Sequence, residues 1–223
     1  MIKGIVFDFD GLMIDTESVW FDAFRDTLNE LHDVEIELER YSSCIGTDDA
    51  PLFSYYTELV GEEIDSELIT EMVEKRYHER MSDPQLREGV MDYLEAAKKQ
   101  GLKIGLASSS SRKWVLSYLE KCNVKGYFEV IKGKEDVEKV KPDPALYREA
   151  VKELGLMPQE VVAFEDSLNG SKAAIEAGLF CVIVPNPVTS HLPFEGYHGR
   201  LATMKEKGLI EVLESVQKAH VLD

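Results

Sequence analysis

The run Ile5-Val6-Phe7-Asp8-Phe9-Asp10-Gly11 decides how the rest of the chain reads. β-Branched and aromatic residues favour a strand. Side chains alternate faces along a strand, so Asp8 and Asp10 are expected on one side where it ends. Gly11 permits a sharp turn and lets backbone N–H groups approach a ligand closely. Two carboxylates this near repel unless a cation or a proton lies between them. The pair therefore reads as a metal site, an acid/base pair, or both.

Four further apolar runs lie at 103–107, 127–131, 161–164 and 180–184, separated by helical patterns over 90–99, 113–122, 145–154 and 168–177. Alternating strands and helices predict a parallel sheet covered on both faces. Right-handed crossovers then make it a doubly wound, five-stranded, Rossmann-like α/β core, with ligands at the carboxyl ends of the strands. Residues 16–84 break this rhythm and read as helical. One apolar stripe comprises Trp20, Ala23, Phe24, Leu28 and Leu31, and a second Leu68, Met72, Val73 and Tyr77. The expected organisation is a core of residues 1–15 and 85–223 with an inserted helical cap of residues 16–84.

Composition narrows the partners. Of 223 residues 44% are hydrophobic, and the net charge is −17. That charge argues against nucleic acid and against an anionic membrane surface, both of which need cationic faces. No apolar run reaches the length of a membrane span. Cys44, Cys122 and Cys181 are widely spaced, with no paired or His-flanked cysteines, so neither a disulfide framework nor zinc is indicated. With no leader-like apolar segment at the start, the expected compartment is the cytoplasm. Oligomeric state is left open.

The strand ends converge on one chemistry. The first delivers Asp8, Asp10 and the Gly11 backbone, and the second delivers Ser108, Ser109, Ser110 and Ser111, hydroxyls and N–H groups suited to phosphate oxygens. Lys141, in Val140-Lys141-Pro142-Asp143-Pro144, precedes a helix. The fourth strand delivers Glu165 and Asp166, followed by Ser167. Several carboxylates, one ammonium and a hydroxyl suggest a magnesium-dependent phosphate site, since magnesium prefers hard oxygen ligands. Two other motifs fail on spacing. Leu12, Met13 and Val19 occupy positions a calcium loop reserves for ligands or glycine, and Gly101 and Gly105 flank a strand rather than follow one.

Taken together, Asp8-Phe9-Asp10-Gly11-Leu12-Met13-Ile14-Asp15-Thr16, Ala107-Ser108-Ser109, Val140-Lys141-Pro142-Asp143-Pro144 and Phe164-Glu165-Asp166-Ser167 resemble the haloacid dehalogenase-like hydrolase superfamily. The likeness is to the branch with a helical cap after the first motif, which holds β-phosphoglucomutase and many small-molecule phosphatases. The resemblance implies Asp8 as the nucleophile that becomes an aspartyl phosphate, and Asp10 as general acid and base. It implies Mg2+ held by Asp8, the Asp10 carbonyl, Asp166 and Glu165, with Ser108, Ser109, Lys141 and Gly11 around the phosphoryl group. Asp10 speaks against a dehalogenase, because a departing halide needs no proton. Around Gly46 and Thr47 the chain is acidic where the mutase pattern has an arginine, which favours hydrolysis of a small phosphorylated metabolite. Lys75 and Arg76 are the cap cations available to a phosphosugar mutase, the alternative reading. A non-catalytic phosphoacceptor domain is a further alternative, though such domains lack a large insertion after the first strand.

Overall fold

The computed structural model describes residues 1–44 and 50–221. The chain divides into two compact units, one of residues 1–15, 85–186 and 192–223, the other of residues 16–84 and 187–191. The first is built on β1 (Gly4–Phe7), β2 (Lys103–Ala107), β3 (Val130–Lys132), β4 (Val161–Glu165), β5 (Phe180–Ile183) and β6 (Gly199–Arg200). They form one parallel sheet in the order β3-β2-β1-β4-β5-β6. The sheet thus has six strands rather than five, the sixth a two-residue edge too short to carry a pattern. β3 starts at Val130 because Lys125–Tyr127 is wound into a short helical turn.

β1 lies at the centre, with Val6 opposite Gly105 on one side and Ala163 on the other. On one face Phe7 stacks on Phe164 at 5.4 Å, and Tyr93 of α5 (Val90–Lys99) meets Phe164 edge-on at 5.3 Å. α5 packs against β2 and against α9 (Leu209–Val221), a helix the sequence reading did not anticipate. On the other face Val6, Ala163 and Cys181 pack with Leu146, Tyr147 and Ala150 of α7 (Ala145–Glu153) and Ala173 and Ala174 of α8 (Leu168–Glu176). Such fully buried apolar surface contributes roughly 25 cal/mol per Å² removed from water, which is why the strands carry almost nothing polar until their carboxyl ends. α6 (Arg112–Lys121) follows β2, started by Ser111, whose hydroxyl accepts from the Trp114 N–H at 3.2 Å.

The second unit contains α1 (Thr16–His32), α2 (Leu38–Cys44), α3 (Ala50–Val60) and α4 (Ser66–Arg80). Ala23, Leu28, Tyr41, Leu52, Tyr56, Ile69 and Val73 form its core, and Val188 from the 187–191 segment joins them. Trp20 stacks on Tyr77 at 3.9 Å. Of the expected stripe, Val73 and Tyr77 are buried and Met72 is half-buried, but Leu68 is 42% exposed and Ile69 takes its place. A spacing of four residues keeps Ile69, Val73 and Tyr77 on one side of the helix. Asp65 caps α4 by accepting from the Leu68 N–H at 3.0 Å.

Thr27 is wholly buried in α1, and its hydroxyl has no hydrogen-bond partner among the described residues. A buried hydroxyl without a partner bears its desolvation cost uncompensated. Thr27→Val keeps the shape and removes the hydroxyl, and should raise stability by about 1 kcal/mol in a urea unfolding curve. Destabilisation would show that the hydroxyl is satisfied in solution.

Candidate active site

β1 stops at Phe7, so Asp8 and Asp10 lie in the turn beyond it. The Asp8 N–H still donates to the Phe164 carbonyl at 3.0 Å, which ties the turn to β4. The two carboxylates then face different partners. Asp8 is buried and pairs with the Lys141 ammonium, which also donates to Glu165 at 2.7 Å. Asp10, half-buried, accepts from the Ser110 hydroxyl at 2.7 Å, from the Trp114 indole at 3.0 Å and, at 3.4 Å, from the Ser108 hydroxyl.

Glu165 is fully buried and held at both oxygens. One accepts from Lys141 and from the Tyr147 hydroxyl at 2.6 Å. The other accepts from the Asp166 N–H at 3.1 Å and the Ser167 hydroxyl at 3.2 Å. The Ser167 side chain in turn caps α8, accepting from the Gly170 N–H at 3.1 Å. A Cβ on Gly170 would fall inside 3.0 Å of the Glu165 carboxylate, so glycine there lets α8 close on the strand end. The Lys141 ammonium lies 4.9 Å from the Tyr147 ring centroid, in reach of a cation–π contact. Lys141–Pro142 is a cis peptide.

Asp166 accepts from the Asn186 amide at 2.7 Å, at the end of β5. Gly11 has a φ of +77°, and a Cβ there would strike the Asp166 carboxylate and the Asn186 amide. Its N–H donates to the Ile14 carbonyl at 2.8 Å. Gly11 thus contributes shape rather than the free N–H donor expected of it. Arg87 binds the same corner from behind. Its guanidinium donates to the carbonyls of Gly11 (2.5 Å), Val184 (3.1 Å) and Pro185 (2.6 Å), while its own N–H donates to Met13 O at 2.8 Å.

One carboxylate oxygen each from Asp8, Glu165 and Asp166 lies within 4.8 Å of the others, the one such acidic group among the described residues. Three buried carboxylates against one contacting ammonium leave an excess of negative charge, which a low-dielectric interior penalises severely. The strain shows at Asp8. Burial pushes its carboxyl up to about 8 against the pull of Lys141, with Glu165 adding to the rise. Burial works against the Lys141 charge too, but Asp8 and Glu165 outweigh it and hold the ammonium above the usual lysine range. An all-oxygen, over-anionic set of this size fits a hard divalent cation.

Of the expected site residues, the core motifs Asp8, Asp10, Ser108, Lys141, Glu165 and Asp166 come together at the carboxyl ends of β1, β2 and β4 and the turn before α7. Ser109 is exposed. Lys75 is exposed on α4, and Arg76 pairs with Glu30 of α1 within the helical unit. Gly46 and Thr47 lie outside the described residues. Trp114, Tyr147 and Arg87 were not anticipated. Each aromatic residue sits among the apolar positions of its own helix and reads as core, whereas Asn186 lies three residues past the end of β5, a region that does mark site residues in such sheets.

The family description haloacid dehalogenase-like hydrolase matches residues 5–184. The chain belongs to this family. A Bacillus subtilis (strain 168) protein, YhcW, named provisionally as a phosphatase, is 46% identical over 96% of this chain and 97% of its own length. A phosphorylated carbohydrates phosphatase of Thermotoga maritima is 31% identical over 80% of this chain and 82% of its own. The crystal structure of a variant of CbbY from Rhodobacter sphaeroides in complex with xylulose-(1,5)-bisphosphate matches with a TM-score of 0.75 at 30% identity, covering 95% of this chain and 99% of that one. Within the haloacid dehalogenase-like hydrolases this chain is a phosphoric monoester hydrolase.

Gly170→Ala tests the packing beneath the site. The added methyl must displace the Glu165 carboxylate, and with it the anchor of Lys141. We expect a loss of about 1–3 kcal/mol by chemical denaturation, with turnover falling in parallel. An unchanged midpoint would mean that α8 is free to move away from β4.

Proposed function

We propose that this hydrolase removes phosphate from a small phosphomonoester, most simply a phosphorylated carbohydrate, in a magnesium-dependent two-step transfer through Asp8. The observation that carries the reading is the buried convergence of Asp8, Glu165, Asp166 and Lys141, with the Asp10 carboxylate held separately nearby. The Thermotoga maritima relative, by its name, and the CbbY complex with a sugar bisphosphate support the substrate class. The free thiols of Cys122 and Cys181 support a cytoplasmic setting, and no described helix is long and apolar enough to cross a membrane.

In the first step an Asp8 oxygen attacks phosphorus, and the departing alkoxide takes a proton from Asp10, leaving an acyl phosphate on Asp8. In the second, Asp10 takes a proton from a water that attacks the same phosphorus, and the P–O bond to Asp8 breaks to release phosphate. Lys141 and the Ser108 hydroxyl, with the exposed turn at Ser109, hold the non-bridging oxygens as charge builds on them. Magnesium would be held by Asp8, Asp166 and the Asp10 carbonyl, with Glu165 direct or through water. When bound it supplies the charge neutralisation that lets one anion approach another. The Arg76–Glu30 pairing supports a solvated cap face over a second phosphate site, hence hydrolysis over phosphosugar mutation.

Assay of a panel of sugar phosphates, β-glucose 1-phosphate included, for both phosphate release and isomerisation tests this reading. Asp8→Asn should lower turnover at least about 1,000-fold, as loss of a covalent nucleophile does. Turnover by Asp8→Asn equal to the parent would end the proposal, and efficient conversion of β-glucose 1-phosphate to glucose 6-phosphate would replace hydrolysis by mutation.

Asp8 also sets a pH dependence. Its carboxyl, raised from 3.8 to about 8, binds a proton more tightly folded than unfolded. Its contribution to metal-free stability is therefore full below the unfolded value and is lost as pH rises through about 8. Thermal melts of the metal-free protein should fall as pH rises from about 4 and level off above about 8. Added Mg2+ should flatten the slope, and Asp8→Asn should lack it. Identical slopes in all three would sink the assignment.

A further inference from the structure

Resting on the reading of Asp10 as acid and base, we infer that Trp114 is a positioning residue that fixes which Asp10 oxygen exchanges the proton. The two oxygens have unlike company. Oδ1 accepts from the Trp114 indole N–H at 3.0 Å, whereas Oδ2 accepts from the hydroxyls of Ser110 at 2.7 Å and Ser108 at 3.4 Å. An indole can only donate, whereas a hydroxyl donates or accepts. Oδ1 therefore stays an acceptor throughout the cycle, and the proton that leaves and returns belongs on Oδ2.

The indole is itself held at several points. The Trp114 backbone N–H donates to the Ser111 hydroxyl at 3.2 Å, and its backbone carbonyl accepts from the Ser117 hydroxyl at 2.7 Å. The ring meets Tyr118 edge-on at 4.7 Å, and Tyr118 packs against Phe9, the residue between the two aspartates, at 6.2 Å. A donor fixed in the first turn of α6 thus reaches an acid whose backbone follows β1. The Trp114 bond thus constrains the carboxylate through the oxygen that does not exchange the proton. Orientation at this level matters, because an ångström of misplacement costs about a hundredfold in rate.

The test compares two esters of nearly equal shape, p-nitrophenyl phosphate and phenyl phosphate, by kcat/KM, which reports formation of the phosphorylated enzyme. The nitrophenolate departs readily without a proton, and the phenolate depends on one. Trp114→Phe keeps an aromatic ring but removes the N–H. It should lower kcat/KM for phenyl phosphate about tenfold more than for p-nitrophenyl phosphate, and Asp10→Asn should discriminate more strongly still. Equal losses on both esters in Trp114→Phe, with discrimination intact in Asp10→Asn, would overturn the role of Trp114 alone. No discrimination in Asp10→Asn would overturn the acid/base reading itself. A second measurement decides the matter if Trp114→Phe does not fold. Trp20→Phe leaves Trp114 as the single indole, since the chain has two tryptophans. Adding Asp10→Asn should then shift the emission, and an unchanged spectrum would overturn the pairing.

Discussion

One buried ammonium holds the active site in shape. Lys141 bridges Asp8 and Glu165 where no bulk water can solvate any of the three. An ion pair in such a place stabilises little by itself, because desolvation offsets most of the Coulombic attraction. Its effect is on arrangement. Glu165 can serve as a fixed post because Tyr147, Ser167 and the Asp166 N–H hold it at both oxygens. With Glu165 fixed, Lys141 has one place to go, and a single ammonium cannot balance the carboxylates around it, so Asp8 keeps its proton up to about pH 8. A hard divalent cation in the Asp8, Glu165 and Asp166 cluster would offset that imbalance.

The sheet supplies the convergence. All its strands run the same way, so the chemistry-bearing turns collect along one edge, each anchored to the next by a backbone bond that continues the ladder. Asp8 N–H reaches Phe164, Ser108 N–H reaches Lys132 at 3.0 Å, and Val184 N–H reaches Glu165 at 2.7 Å. These bonds carry the regularity of the strands one residue past their ends. Functional groups placed this way have the precision of secondary structure rather than that of free loops.

Much of this was legible because the signals are local. Apolar runs ending in polar residues mark β1, β2 and β4, and the acids, serines and lysine at their ends name the chemistry. What escaped was non-local or very short. β6 has two residues, and β3 begins late because a helical turn takes up Tyr127. Leu68 was misjudged because the apolar pairs Leu68-Ile69 and Met72-Val73 on α4 admit two registers, and only packing selects Ile69. α9 carries Leu209, Val212, Leu213 and Val216 at plain helical spacing, so its omission reflects no physical obstacle. Tyr147 and Trp114 were hidden by chemistry of two kinds in one side chain. Each has an aromatic body that suits a core and a single polar atom whose target lies more than ten positions away. Arg87 acts almost wholly on backbone carbonyls, which leave no trace in side-chain patterns.

Arg87 has a consequence for the history of such a chain. Its N–H is bonded to Met13 and its guanidinium to Gly11, so the segment leaving the α/β core and the segment returning to it are stitched side by side. Whatever lies between them is a detour whose two ends already meet. Loop-closure entropy grows only with the logarithm of length, so lengthening, shortening or exchanging that detour burdens the core very little. A stitched doorway of this kind makes the insertion a replaceable module: recombination can graft a different one there while the machinery at the strand ends is inherited intact.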